Sequence, residues 1–398
     1  MTPRLAVVGI GCDGVAGLSA NARSVLEAAE RIVGAPRQLA LVAQAELSAQ
    51  LSPWPEGYWR NWADTFAQLR PGRDVVLASG DPMFHGIGTT LARELGAEAI
   101  TVYPAPSSAS LACAYLGWAL DETPVVSLVT GDSARVVPLA DAGRRFLVLC
   151  RSAESVAQVA EVLGASAAIA LTALTNLGGS ADTGLPQSVV RGSAAAPPVP
   201  AGDLTVLAVE PVARRPWLAD ADFDSDGQLT KAPIRQLTVS ALGPTPGARL
   251  WDVGGGSGSI AVEWARHGGR AQVFERDSTR VARIRRNVSA FSGDVEVFHG
   301  AAPEVLEASS WSPEAIFIGG GLTAADMVSA CYERLAPGGV LVANAVTVES
   351  EAIIWRAHRH LGGQITRLSV ERAGAVGSFT AWRPALPVVQ WVVYKPGE

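Results

Sequence analysis

Three stretches of this chain combine residue types and spacings that could do chemistry. The first is Trp251-Asp-Val-Gly-Gly-Gly-Ser-Gly-Ser259, in which Gly254, Gly256 and Gly258 are spaced G-x-G-x-G between an apolar run and a helical pattern. Glycines at such a corner let the chain turn sharply and let a ligand lie against the backbone. A dinucleotide fingerprint needs a further glycine at 259, where serine stands. The next apolar run ends in Glu275, placed to accept hydrogen bonds from ribose hydroxyls. The second and third stretches are Ser79-Gly-Asp-Pro-Met-Phe-His-Gly-Ile-Gly88 and Pro104-Ala-Pro-Ser-Ser-Ala109, each behind a short apolar run. Their glycines and short hydroxyls suit the hydrogen bonds of a folded nucleoside carrying an amino-acid tail. Gly9 to Gly14 also matches G-x-G-x-x-G, but the helical signal starts only near Ser19, too late for a nucleotide-binding turn.

Other groupings point elsewhere or nowhere. Asp222, Asp224, Asp226 and Gly227 imitate the start of a calcium loop, but its twelfth position is Pro233 rather than Glu. His358 and His360 have no third ligand at useful spacing, and the four cysteines share no metal-type or redox-type spacing, so no metal is expected. His85 either faces a substrate or packs behind the Gly-Asp-Pro loop. Arg276, Arg280 and Arg283, with Arg285 and Arg286 beside them, form either a solvated helix face or a dock for an anion or partner. No acid–base dyad is recognisable.

These motifs need a scaffold of alternating strands and helices. Strands are expected at 5–10, 75–78, 100–102, 125–129, 146–150 and 204–209, then at 249–253, 271–274, 295–298, 315–318 and 340–343. Helices are expected at 24–33, 259–266, 278–290 and 324–335. That alternation implies βαβ units and mostly parallel sheets, an α/β fold. The 398-residue length suits two domains. Pro- and then Asp-rich sequence after Glu210 marks a boundary, giving domains at 1–212 and 227–398 with a linker at 213–226. Residues 1–210 hold 13 Arg, no Lys and 19 acidic residues, and residues 211–398 balance 19 basic against 19 acidic, so neither half has the basic surplus of a nucleic-acid binder. The longest apolar runs are too short to span a bilayer, and the N-terminus lacks the regions of a signal peptide. A cytoplasmic protein with free thiols and no membrane partner is expected.

The motifs carry two resemblances. Residues 4–212, with the Gly-rich first loop, Gly80-Asp81-Pro82 and Pro106-Ser107-Ser108, are similar to the tetrapyrrole methylase family, the class III S-adenosylmethionine methyltransferases. They depart from its pattern at Cys12, Ala105 and Cys150-Arg151. The Asp252 to Ser259 loop and Glu275 resemble a Rossmann-like class I S-adenosylmethionine methyltransferase. Gln228 to Arg235, Gly300-Ala-Ala-Pro303 and Phe317-Ile-Gly-Gly-Gly321 narrow that likeness to the decarboxylating precorrin methyltransferases of cobalamin biosynthesis.

The resemblances imply one S-adenosylmethionine per domain. In the first domain Gly80, Asp81, Phe84, Ser107 and Ser108 would contact it, although Asp81 also reads as a turn-capping carboxylate. In the second, Thr230, Gly254, Gly256, Gly258, Glu275 and Ala302 would do so. Gly319 to Gly321 offer no side chain to hold an amine but leave room for a bulky flat substrate, which favours methylation at carbon; Gly320 is a candidate substrate contact. Lys231 and Arg235 either meet substrate carboxylates or close a salt bridge. The implied reaction is methylation of a precorrin at C5 by the first domain, and methylation at C15 with loss of CO2 from the C12 acetate by the second, giving precorrin-8. Both folds usually self-associate, so a homo-oligomer is expected. Two other readings are an RNA methyltransferase, against which the charge balance counts, and a non-catalytic, cofactor-binding scaffold of a tetrapyrrole pathway.

Overall fold

A computed structural model describes residues 3–164, 166–211, 217–291 and 293–397. The chain divides into two compact units: Met1–Thr130 with Arg145–Pro211, and Gly131–Arg144 with Val212–Glu398. Residues 213–216, the start of the expected linker, lie outside the described residues.

The first unit contains two five-stranded sheets. One joins β1 (Leu5–Ile10), β2 (Arg31–Gly34), β3 (Gln50–Pro53), β4 (Asp74–Ser79) and β5 (Ile100–Tyr103) in the order β3-β2-β4-β1-β5, all parallel. Its central strands β1 and β4 are buried on both faces, which is why they read as short apolar runs without alternation. The other joins β6 (Val125–Ser127), β7 (Phe146–Leu149), β8 (Ala170–Thr175), β9 (Ser188–Ser193) and β10 (Thr205–Glu210) in the order β6-β7-β10-β8-β9. Only β6 and β7 pair in parallel there; the rest is antiparallel, so this sheet is the exception to the mostly parallel pairing expected. The helix expected at 24–33 needs correction. It spans Ala20–Glu27, capped by the Ser19 hydroxyl on the amide of Ala22, and the chain then enters β2. Ile32 and Val33 continue the apolar periodicity of the helix, but they are β-branched and sit just before Gly34 and Pro36.

The second unit is built on a seven-stranded sheet. β11 (Arg249–Val253), β12 (Arg270–Glu275), β13 (Val295–His299), β14 (Ala315–Ile318) and β15 (Val340–Ala345) are parallel, in the order β13-β12-β11-β14-β15. β16 (Gln364–Leu368) and a last strand at Val388–Tyr394 extend it antiparallel beyond β15. Between them β17 (Glu371–Val376) and β18 (Phe379–Pro384) form a separate ribbon whose Phe379 and Trp382 are exposed. The order reverses on either side of β11, so a crevice opens at its carboxyl end, the place where ligands bind in such sheets. Beneath that end Trp251, Phe274 and Phe298 form a continuous aromatic column, with successive ring centroids 5.2 Å apart. Trp251 Nε1 donates to Gln272 Oε1 at 3.0 Å, so the indole is buried without an orphaned donor.

The structure places the described part of the expected linker, residues 217–226, within this unit. Leu218 and Phe223 are buried in its core. Asp224 and Asp226 meet Arg280, Arg283 and Arg286 of the helix Ser278–Phe291, between 2.6 and 3.3 Å. The acidic cluster and the arginine face that the sequence offers separately are therefore partners of each other. The Arg286 guanidinium is the main reason the Asp224 carboxyl lies below its usual range.

Candidate active sites

In the second unit the glycine loop joins β11 to the helix Ser259–Arg266. Gly254 has φ +71°, and a Cβ there would stand 2.6 Å from the Cα of Gly320. Two backbones thus touch where β11 and β14 end, and no other residue fits without moving one of them. The amides of Gly319 and Gly320 both donate to the carbonyl of Val253, at 3.0 and 3.4 Å, which locks that approach. Gly256 donates its amide to Glu275 Oε2 at 2.9 Å, while Glu275 Oε1 accepts the amide of Asp277 at 3.0 Å. Each carboxylate oxygen keeps a lone pair, so Glu275 is fixed in place and can still accept two hydroxyls. Gly258 has a different job. A Cβ there would meet Ile284 Cγ2 at 2.8 Å, so this glycine seats the helix Ser278–Phe291 against the loop.

Asp252 is a further candidate, inside the glycine motif but without a role that spacing alone gives it. It is 1% exposed, its Oδ2 accepts the amide of Ala261 at 3.2 Å, and its Oδ1 is buried without a hydrogen bond. Burial pushes its carboxyl up to about 7; the Ala261 amide opposes that shift and the charge of Glu275 adds to it. A buried acid with an orphaned oxygen is a receptor for a cation. The amino group of S-adenosylmethionine supplies one, and Glu275 suits its ribose. The residues present therefore fit the expected methyl donor.

The flanking candidates separate in the structure. The carbonyl of Gln228 lies 3.5 Å from where a Cβ of Gly256 would be, bringing the segment before Thr230 beside the loop. Thr230 is half-buried, and its carbonyl accepts Arg235 Nη1 at 2.7 Å. Ala302 packs against the core cluster that holds Trp251 and Phe274. Lys231 is exposed at the start of the helix Ala232–Leu242. Arg235 is not exposed to substrate at all. Its side chain is fully buried, pairs with Asp220 at 3.1 Å and Glu263 at 3.5 Å, donates to the carbonyl of Leu218 at 2.6 Å, and lies 4.8 Å above the Phe223 ring. Of the two roles open to it, the structure shows the salt bridge. Burying a guanidinium requires paired acids, and Asp220 and Glu263 meet that need.

In the first unit the loops after β1, β4 and β5 converge. A Cβ on Gly9 would meet the carbonyl of Gly80 at 2.0 Å and the amide of Ala105 at 2.8 Å. Gly80 has φ +58°, donates to the carbonyl of Ile10, and would put a Cβ 3.0 Å from the carbonyl of Pro106 and 3.3 Å from the Cα of Ser107. Asp81 Oδ1 accepts the amide of Met83 at 2.8 Å, so it does cap its turn. Phe84 is 36% exposed and meets His85 edge-on, with ring centroids 4.8 Å apart. The Ser107 hydroxyl accepts the amide of Ser110 at 3.0 Å and caps the helix Ser108–Leu116. What this loop offers a ligand is its backbone and the half-buried Ser108. Thus Gly80, Ser107 and Ser108 come together, with Asp81 and Phe84 on the adjoining turn.

Comparison with known proteins matches both units to families. Residues 4–192 match the family of Tetrapyrrole (Corrin/Porphyrin) Methylases, and residues 221–395 match the Precorrin methyltransferase domain. The precorrin-6Y C(5,15)-methyltransferase [decarboxylating] of Mycobacterium tuberculosis (strain CDC 1551 / Oshkosh) is 43% identical over 397 residues, covering 98% of this chain and 99% of that protein. The protein of the same description from Sinorhizobium sp is 40% identical over 400 residues, covering 98% and 96%. A probable cobalt-precorrin-6B C(15)-methyltransferase (decarboxylating) of Sulfolobus acidocaldarius is 34% identical over 143 residues, which are 34% of this chain and 74% of that protein.

Proposed function

This chain belongs to the family of decarboxylating precorrin-6Y C5,15-methyltransferases, and from that premise we propose how its two units share the work. The chain methylates a precorrin at C5 and C15 and decarboxylates it, in cobalamin biosynthesis, with S-adenosylmethionine as methyl donor. The first unit binds one donor molecule and methylates C5. The second binds another, methylates C15 and releases CO2 from the C12 acetate. That C15 methylation and decarboxylation go together is supported by the shorter relative, whose description holds those two activities and whose match spans only 143 residues. The observation that carries the second site is the orphaned Asp252 oxygen beside the Gly254–Gly320 contact and Glu275.

Bound S-adenosylmethionine supplies an electrophilic methyl group. Asp252 holds its ammonium group and Glu275 its ribose, while the loop backbone at Gly254 and Gly256 admits it close to the sheet. The bare strip Gly319 to Gly321 leaves the face above open to a flat macrocycle. Ring carbons of a reduced tetrapyrrole are enamine-like, so the electron pair of the new carbon–methyl bond comes from the substrate. The chain's part is alignment and exclusion of water, which is why no acid–base dyad is needed. In decarboxylation the C–CO2 bond breaks, its electrons enter the conjugated ring, and the freed carbon takes up a proton. Exposed Lys231 is the candidate for meeting a substrate carboxylate at this site. In this proposal the chain works as a cytoplasmic homo-oligomer without nucleic-acid or membrane partners; its charge balance counts against a nucleic-acid partner, and among the described residues no helix is long and apolar enough to cross a membrane.

The test is a mass-resolved assay with methyl-labelled donor and reduced precorrin-6 extract. A product gaining two methyl groups and losing one CO2 is expected. A product with one methyl group and its CO2 retained would remove the second unit from the account.

A further inference from the structure

At the carboxyl end of β4 the first unit carries an arginine that forms no ion pair among the described residues. Arg37 lies in the helix Pro36–Val42, just after β2, and is half-buried. Its Nη2 donates to Ser79 Oγ at 2.7 Å. Ser79 is the last residue of β4, directly before Gly80 and Asp81. Gln38 Nε2 donates to the same oxygen at 3.0 Å, and Gln38 Oε1 accepts the amide of Ala35 at 2.8 Å, so the orientation of this amide follows from its partners. Gly34 makes room for it; a Cβ there would lie 3.0 Å from Gln38 Oε1 and 3.1 Å from Leu77 Cβ.

The chemistry of this cluster is one-sided. Ser79 Oγ accepts two hydrogen bonds, which use both its lone pairs, so its own proton must be donated outward. Arg37 forms no salt bridge among the described residues, whereas Arg31, half-buried in the same unit, pairs with Asp74 at the start of β4. Cys12 acts on Arg37 and itself stands beside Asp13; burial pushes the Cys12 thiol up, so it carries no charge near neutral pH. Burial also lowers the Arg37 pKa, the mark of a cation taken from water without compensation. The Arg37 guanidinium and the Ser79 hydroxyl proton, joined through Ser79 Oγ, which Gln38 also holds, sit at the carboxyl end of a parallel strand and make a fork for two oxygens.

We propose that Arg37 and Ser79, braced by Gln38, form a seat for a carboxylate of the ligand bound in the first unit's cleft. The seat rests on the reading that this unit methylates an acid-bearing tetrapyrrole. Two carboxylates have the right chemistry, a side chain of the macrocycle and the amino-acid tail of the methyl donor. The macrocycle is favoured because it brings several.

The full chain carrying Arg37→Met, Arg37→Lys or Ser79→Ala tests this in three measurements. These are KM and kcat for methyl transfer to C5, Kd for S-adenosylhomocysteine by calorimetry, and Kd for uroporphyrin, an eight-carboxylate tetrapyrrole, by fluorescence quenching. Arg37→Met should raise KM and the uroporphyrin Kd about tenfold or more, with Arg37→Lys recovering part of the loss and kcat little changed. Kd for S-adenosylhomocysteine should stay within about twofold of wild type. A loss confined to S-adenosylhomocysteine would keep the seat and assign it to the donor's tail. Unchanged values in all three measurements, from variants with wild-type unfolding midpoints, would overturn the seat. Arg37-dependent uroporphyrin binding by a wild-type chain that transfers no methyl to C5 would overturn the functional reading and leave the seat standing.

Discussion

Replacing Asp252 by Asn should make the ligand-free protein more stable and the site worse. The buried carboxyl titrates at about 7 in the folded chain, against roughly 3.9 when unfolded. Between those values the native state holds a proton that the unfolded state has released. Stability therefore falls as pH rises through that window, and the loss is complete above the folded value. Three units of difference correspond to roughly 4 kcal/mol. Asn keeps the shape, can accept the Ala261 amide as Asp252 does at 3.2 Å, and never ionises. Wild type and Asp252→Asn should thus have similar stability near pH 4 and diverge as pH rises to about 7. Beyond that the variant's second unit should melt roughly 10 °C higher. Thermal unfolding of ligand-free protein from about pH 4 to 8.5 reads this directly. The cost appears on binding: the variant should lose affinity for the methyl donor, and wild-type affinity should rise with pH through neutrality as the acid is freed to meet the ammonium. A stability difference that does not change with pH, or a variant less stable at pH 8, would refute the reasoning.

Three further outcomes follow from the geometry. Glu275→Ala removes the acceptor of the Gly256 and Asp277 amides and should weaken donor binding at the second unit about tenfold or more by calorimetry. Gly254→Ala places a Cβ 2.6 Å from the Gly320 Cα at a positive φ. It should cost roughly 1–3 kcal/mol of stability and abolish C15 methylation while C5 methylation persists, read by product mass. Phe223→Ala empties a site 5% exposed beneath the Arg235 guanidinium and should lower the second unit's stability by about 3 kcal/mol in urea unfolding. An unchanged midpoint would mean that the acidic segment is not part of that unit.

The second site was legible where local sequence decides local shape. The loop at 254–258 needs glycine for backbone approach and positive φ, and Glu275 ends its strand next door, so four of its residues could be named from spacing alone. Asp252 shows the limit. Its place in the motif was visible, but its role depends on burial and an orphaned oxygen, which only the packed structure shows. For Arg235 the sequence leaves substrate and salt bridge both open, because its acids Asp220 and Glu263 lie 15 and 28 residues away on opposite sides in sequence and meet only after folding. β8 and β9 were missed because Ala170–Thr175 and Ser188–Ser193 are poor in the β-branched and aromatic runs that mark strands from a single sequence. The acidic stretch looked like a solvated linker because its two apolar anchors, Leu218 and Phe223, are outnumbered by aspartates. Arg37 carried no local signal; its meaning rests on which acids are absent around it.

In this reading one chain carries two independent donor sites. Titrating the full chain with S-adenosylhomocysteine in a calorimeter tests it most directly. Two equivalents should bind per chain, and one in either Gly80→Arg or Gly254→Arg. A stoichiometry of one in the wild-type chain would contradict it.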